Sequence, residues 1–325
     1  MRWTSVVLGG LLAVALPYAA WTQSEPYPNR PVRMIAASGP GGNPDVWGRV
    51  ISEKLSIALG KPFVVENLPG AGGVVAANLV AKSPPDGHVL MLTDSGALAI
   101  NPALQSGLSY DSLKDFTPIT AVATLPTAFV VPPSLPVKTP AEFIALAKKD
   151  PGKLTYGSAG PGSIHHITMA AFAERNGLDM LHVPYRGGTQ MVNALLAGEV
   201  QGGWSGIPNV RGQIEAGLLR ALCVSILVRS PSLPDVPTCD EAGVKGFDIA
   251  TMLGLVGPAG MPPAVVATIQ SETAKALRDP KVAERMMQLG VVMQENGTPH
   301  YQKFVKDDFD RYAAIVQKLN LQIKQ

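Results

Sequence analysis

Charged side chains are scarce in this chain. Only 16% of its 325 residues are Asp, Glu, Lys or Arg, and 27 basic against 25 acidic groups leave a formal net charge of +2. That balance excludes a nucleic-acid partner held by bulk charge, so any preference for an anion must come from local geometry. Familiar cofactor and nucleophile motifs are missing as well. Gly39-Pro40-Gly41-Gly42-Asn43-Pro44 lacks the third Gly of a dinucleotide fingerprint, and Gly70-Ala71-Gly72-Gly73-Val74-Val75 ends in Val, so neither completes it. No Gly-Lys-Ser/Thr of a nucleotide-binding loop occurs, and Gly203-Trp204-Ser205-Gly206-Ile207 has Ile where a nucleophile elbow needs Gly. His165 and His166 are adjacent, so on a helix they point about 100° apart, which suits no shared metal. No cofactor is expected. Cysteine is limited to Cys223 and Cys239. An oxidising compartment permits a bridge between them, but spacing leaves two buried thiols open.

What is present argues for a folded, exported protein. Hydrophobic residues make up 46% of the chain, which excludes disorder. The 33 Gly and 29 Pro fall between apolar segments and read as short turns. Arg2, the apolar run over 6–16 and the small residues Ala19, Ala20 and Thr22 form a secretory signal pattern. The run is shorter than the ~20 residues a membrane span needs. Residues 1–24 are therefore expected to be a cleaved signal peptide, with the mature protein in the periplasm.

Apolar patterning then predicts strands over 32–38, 62–66 and 88–93 with helices over 43–59 and 73–82 between them, the βαβαβ order of a parallel sheet. The pattern restarts with strands at 127–131, 154–158, 180–184, 200–204 and 219–225. Helices are expected over 139–149, 163–176 and 188–197, the first opened by a capping box of Thr139 and Glu142. The tail reads as an apolar segment over 247–256 followed by helices over 262–278, 280–289 and 299–318. The expected fold is α/β with two lobes, the first built from 25–125 plus 229–325 and the second from 126–228.

Two Gly-rich turns resemble each other. One runs from Ser38 through Gly39, Pro40, Gly41 and Gly42 to Asn43. The other runs from Ser158 through Ala159, Gly160, Pro161 and Gly162 to Ser163. Each follows a strand and opens a helix, one in each expected lobe. A helix N-terminus offers unpaired N–H groups and about half a positive charge, and Gly lets an anion approach the backbone. Each turn is a candidate carboxylate or phosphate cradle, placed where ligands of open α/β sheets bind. Candidate ligand contacts are Ser38, Gly41, Gly42, Asn43, Ser95, Ser158, Gly160, Gly162, Ser163 and His165, with Arg186 as a possible bidentate carboxylate partner. Asp45, in the first turn of its helix, is expected to hold the loop in shape.

The chain resembles the substrate-binding proteins of tripartite tricarboxylate transporters, the Bug family. The resemblance is carried by Tyr27-Pro28-Asn29-Arg30-Pro31-Val32-Arg33, by Gly39-Pro40-Gly41-Gly42-Asn43-Pro44-Asp45 and by Val65-Glu66-Asn67-Leu68-Pro69-Gly70-Ala71-Gly72-Gly73. It continues through Asp115-Phe116-Thr117-Pro118-Ile119, Pro151-Gly152-Lys153-Leu154-Thr155-Tyr156-Gly157-Ser158-Ala159-Gly160 and His182-Val183-Pro184-Tyr185-Arg186-Gly187-Gly188. It implies a periplasmic Venus-flytrap fold, a small carboxylated solute held by the two loops, and delivery to a large and a small membrane subunit. A monomer that binds no nucleic acid is expected. One departure stands out. Where the family usually carries acidic residues, this chain has Gln201, Gly202, Gly203, Trp204 and Ser205. Trp204 and Ser205 are therefore placed at the ligand, with core packing the alternative for the indole, and a bulkier or aromatic acid is expected. Other readings are a ligand-presenting subunit of a sensor system, or a secreted α/β hydrolase.

Overall fold

The computed structural model describes residues 26–288, 291–293 and 297–319; the expected signal peptide lies outside them. The chain runs β1 (Val32–Ala36), α1 (Asn43–Leu59), β2 (Phe63–Asn67), α2 (Val74–Ala81), β3 (Val89–Thr93), a helical turn into α3 (Asn101–Leu104), and the long strand β4 (Phe116–Leu125). Pro126 separates β4 from β5 (Thr127–Val131). Then come α4 (Pro140–Lys149), β6 (Thr155–Ser158), α5 (Ile164–Asn176), β7 (Leu181–Pro184), α6 (Gly188–Leu196), β8 (Gly202–Gly206), α7 (Ile207–Glu215) and β9 (Arg220–Val224). The return is β10 (Thr251–Pro258), α8 (Pro263–Arg278), α9 (Pro280–Gln288), β11 (Val292–Met293) and α10 (Thr298–Leu319).

These strands form two sheets and hence two α/β lobes. The six-stranded sheet has the order β11-β4-β10-β3-β1-β2 and the five-stranded sheet β7-β6-β8-β5-β9. β1 lies parallel to β2 and β3, while β10 runs antiparallel to β3 and β4. β3 is buried at every position, as expected of an apolar run covered on both faces. α1 carries Pro44 in its first turn and stops at Gly60, whose φ of 69° lets its N–H close on Ser56 O at 3.0 Å. Its N-cap is Gly42. At α4 half of the expected box is present: Glu142 N–H donates to Thr139 Oγ1 at 3.1 Å, while the Glu142 carboxylate accepts from Lys138 N–H, one residue before the cap.

Two features depart from the sequence reading. β4 was not expected, because Pro118 interrupts its run. Pro118 sits opposite Val256, where the β4–β10 register shifts, and a bulge is where a strand tolerates Pro. Residues 229–250, expected with the first sheet, pack on the second. Cys223 and Cys239 form a disulfide with Cα atoms 5.0 Å apart. Val224 N–H donates to Pro237 O, Cys239 N–H to Val224 O and Ile249 N–H to Ser225 O, and Phe247 enters the second lobe's core. The chain rejoins the first sheet at Thr251, opposite Leu125. The two crossings are therefore neighbours in space. α10 is a third link. Tyr301 and Val305 pack with Met252 in the first lobe, whereas Tyr312 and Val316 pack with Ile167 of α5, and Lys318 pairs with Glu174 at 2.6 Å.

Candidate functional site

The two Gly-rich loops are the same structure built twice. In each, Pro stands at the second position of a tight turn and Gly at the third, with φ of 81° at Gly41 and 75° at Gly162. The fourth residue closes the turn: Gly42 N–H donates to Gly39 O at 3.1 Å and Ser163 N–H to Gly160 O at 3.2 Å. Pro followed by a positive-φ Gly is the chemistry of a type II turn. Each loop is then pinned by a side chain four residues further on. Gly41 N–H donates to Asp45 Oδ2 at 2.8 Å, and Gly162 N–H to His166 Nδ1 at 3.1 Å.

That pinning corrects the expected cradle. The Gly41 and Gly162 N–H groups are already used, so neither is a free donor. The unpaired donors lie just downstream. The N–H groups of Asn43 and Asp45 on α1, and of Ile164 and His165 on α5, have no acceptor among the described residues. They are the orphan donors of two helix N-termini.

Asp45 is buried. Its carboxylate also accepts from Asn67 Nδ2 at 2.9 Å and meets Arg49 at 2.8 Å. The Gly41 N–H, then the Asn67 and Arg49 donors, hold its pKa below the ordinary value against the opposing effect of burial. The second loop rests on a stack of rings. His166 and His182 lie 4.1 Å apart and nearly parallel, and Tyr156 stacks on His182 at 4.9 Å. Ser158 Oγ bonds His182 Nε2 at 2.7 Å and accepts from Gly160 N–H. Burial, then the neighbouring His182, pushes His166 down to about 4, so its Nδ1 remains an acceptor.

Two adjoining cavities of about 380 and 170 Å³ open between the lobes beside these loops, sharing Asp94, Ile164 and Thr251. Gly162 and Ser163 line the larger; Asn43 and His165 line the smaller. The N-terminus of α7 also reaches the smaller one through Pro208 and Asn209. No Lys or Arg lines either cavity among the described residues. His165 is held neutral, since burial lowers it to about 4, and its buried Nδ1 has no partner. A larger cavity, about 640 Å³, lies between α5 and α10 and contains neither loop. Its Lys318 and Glu174 pair with each other.

Several expected contacts lie elsewhere. Trp204 is fully buried, stacked between Phe129 and Phe247 at 5.1 and 5.4 Å, so the indole is core and not ligand surface. Ser205 is buried beside it, its Oγ without a partner. Alternation along β8 turns the two side chains to opposite faces of the sheet, and neither lines the cleft. Arg186 is exposed and lines neither cavity. Ser95 turns away from them, its Oγ accepting from Met252 N–H at 3.2 Å. Ser158 and Gly160 shape the second loop from beneath, and Ser38 Oγ is buried against Gly42, where an added Cβ would meet it at 2.7 Å. Asp94, Asn101, Asn209 and Thr251 line the cleft and were not anticipated. Asp94 follows β3 directly, the position after a parallel strand that pointed to both loops.

The chain is similar to known proteins over most of its length. Residues 48–321 match the model of the tripartite tricarboxylate transporter family receptors. Protein BugT of Bordetella pertussis is 32% identical over 98% of this chain and 98% of its own. Rpa4515 of R. palustris, solved with adipate, superposes with a TM-score of 0.81 at 30% identity, covering 90% of this chain and 98% of that one. MatC of Rhodopseudomonas palustris, solved with bound malate, gives 0.77 at 29% identity over 89% of this chain and 100% of its own. With the family model spanning most of its length and both lobes superposing on family structures, the chain belongs to the tripartite tricarboxylate transporter receptors, which include the Bug proteins.

Proposed function

We propose that this chain is a periplasmic solute receptor without catalytic activity, which closes its two lobes on a small carboxylate and delivers it to the large and small membrane subunits of a tripartite transporter. The observation that carries the reading is the cleft itself. Two helix N-termini, one per lobe, bring unpaired N–H groups, those of Asn43, Ile164 and His165, to a space without Lys or Arg among the described residues. Such donors favour an anion and impose no counter-ion of their own. The adipate and malate in two related structures are ligands of that chemistry. Packing supports lobe boundaries at Pro126 and near residue 250, and hinge closure across neighbouring strand crossings is the motion such a frame allows.

A thermal-shift screen with a carboxylate panel tests the ligand class, because a ligand of the folded state alone raises the melting temperature. Proline then tests the donors one at a time. Gly42 and Ser163 have ψ of 160° and 155°, the extended geometry a residue before Pro prefers, and Pro is tolerated at the first helical position. Asn43→Pro and Ile164→Pro each delete one N–H while leaving the helix intact. Each should weaken the best ligand about ten- to a hundredfold, as expected for one charge-assisted hydrogen bond. Undiminished affinity in both folded variants would place the anion elsewhere.

A further inference from the structure

Asp94 is the residue the carboxylate reading does not explain. It lines both cleft cavities and a water-sized void of about 10 Å³ behind them. It is the only acid lining the cleft among the described residues. Its Oδ1 accepts from Gly96 N–H at 2.9 Å, and no described cation pairs with it. Arg311 of α10 is already paired with the buried Asp308 at 3.3 Å. Asp308 lines the same small void, so the Arg311–Asp308 pair brings no net positive charge toward Asp94. Tyr301 and Tyr312 also face this region, but phenols hold no positive charge. On the other lobe His165 is neutral. The cleft is therefore bipolar. Orphan N–H groups of α1 and α5 offer a positive pole, and Asp94 is an uncompensated acid within the same space. A ligand that is anionic throughout matches the first and opposes the second.

We infer that Asp94 is the specificity-determining residue of the cleft, and that the carboxylate it selects also carries a protonated amine or another cationic nitrogen. The inference rests on the carboxylate reading above. A cationic donor meets Asp94 in a site with little water, where a charge-assisted bond is strong, while the carboxylate end meets the helix termini. Burial raises the Asp94 carboxyl above its ordinary range, so a cationic ligand would draw the proton off and a dianion would hold it on.

Titration calorimetry with matched probes tests this: succinate against aspartate, and adipate against 2-aminoadipate, each pair differing by one ammonium group. In the wild type the ammonium member of at least one pair should bind about tenfold tighter or more. Asp94→Asn keeps the size and the acceptor for Gly96 N–H but loses the charge, and should bring that ratio close to one. A preference for the plain diacid in both pairs or an unchanged ratio in Asp94→Asn overturns the assignment and leaves the carboxylate reading standing. If no carboxylate probe binds, that reading fails, and this one with it.

Discussion

Asp45→Asn is the most direct test of how the first loop is held. The carboxylate accepts from Gly41 N–H at 2.8 Å and Asn67 Nδ2 at 2.9 Å, and its third partner is Arg49 at 2.8 Å. Asparagine supplies one acceptor oxygen in place of two. If that oxygen faces Gly41, the new amide confronts the donors of Asn67 and Arg49; if it faces them, Gly41 N–H is orphaned. Losing a charge-assisted bond at this buried site costs about 1.5–3 kcal/mol. The Arg49 side chain is 58% exposed, so the ion pair adds at most about 1 kcal/mol. Urea unfolding should therefore show a loss of about 2–4 kcal/mol with little change in slope, and ligand affinity should fall because Asn43 N–H is no longer fixed. Arg49→Met is the control and should lose under about 1 kcal/mol. The pH dependence gives an independent sign. Asp45 is held below its unfolded value of 3.8, so its contribution is complete above that value and is lost as pH falls below it. The variant should lack that part of the acid slope. Equal losses in Asp45→Asn and Arg49→Met, or none in either, would refute the pinning argument.

Further outcomes are expected elsewhere. His166 is pushed from 6.5 down to about 4, so the unfolded chain takes up its proton first; about 3 kcal/mol of stability should be lost as pH falls from about 6.5 to 4, and His166→Gln should flatten that limb in melting experiments. Replacing both Cys223 and Cys239 by Ala, or reducing their bridge, should lower stability by about 3 kcal/mol for a loop of this length, measured by denaturation with and without reductant. Trp204→Ala empties a fully buried site and should cost about 3–5 kcal/mol, while calorimetry with the wild-type protein's best ligand should show little change in affinity, since the indole touches the core and not the cleft.

The sequence made the sheets legible wherever burial on both faces left an unbroken apolar run, as at β3 and β5. It hid β4, because Pro118 reads as a strand breaker unless the bulge opposite Val256 is known. It also misplaced residues 229–250. Their turn-rich composition is neutral between lobes, and what ties them to the second sheet is a Cys223–Cys239 bridge that spacing could not decide. At the site, the paired Pro-Gly turns were visible as a repeated motif. Which N–H groups remain free was not, because that depends on Asp45 and His166 reaching back four residues. Trp204 was misplaced because β8 turns it toward Phe129 and Phe247, a direction only the pairing with β5 fixes. Asp94 could have been found by applying to β3 the rule already used for β1 and β6.

The two pins are chemically different, and their surroundings explain why. Asp45 stands among donors, Gly41 N–H, Asn67 and Arg49, which stabilise a charged acceptor. His166 stands between an aromatic stack and the loop, with His182 at 4.1 Å and no cation paired to it, where a carboxylate would be buried without compensation. A neutral imidazole accepts the same bond from Gly162 without bringing charge. Both groups are shifted downward, for opposite electrostatic reasons: the carboxylate because its ionised form is hydrogen-bonded, the imidazole because its ionised form is desolvated and repelled. The result is common to both lobes. Each pin keeps its accepting state from neutral pH down to about 4, so the orphan N–H groups beside it remain fixed toward the cleft on both sides before any ligand arrives. Donors set in advance need no reordering on binding, which is how preorganisation raises affinity.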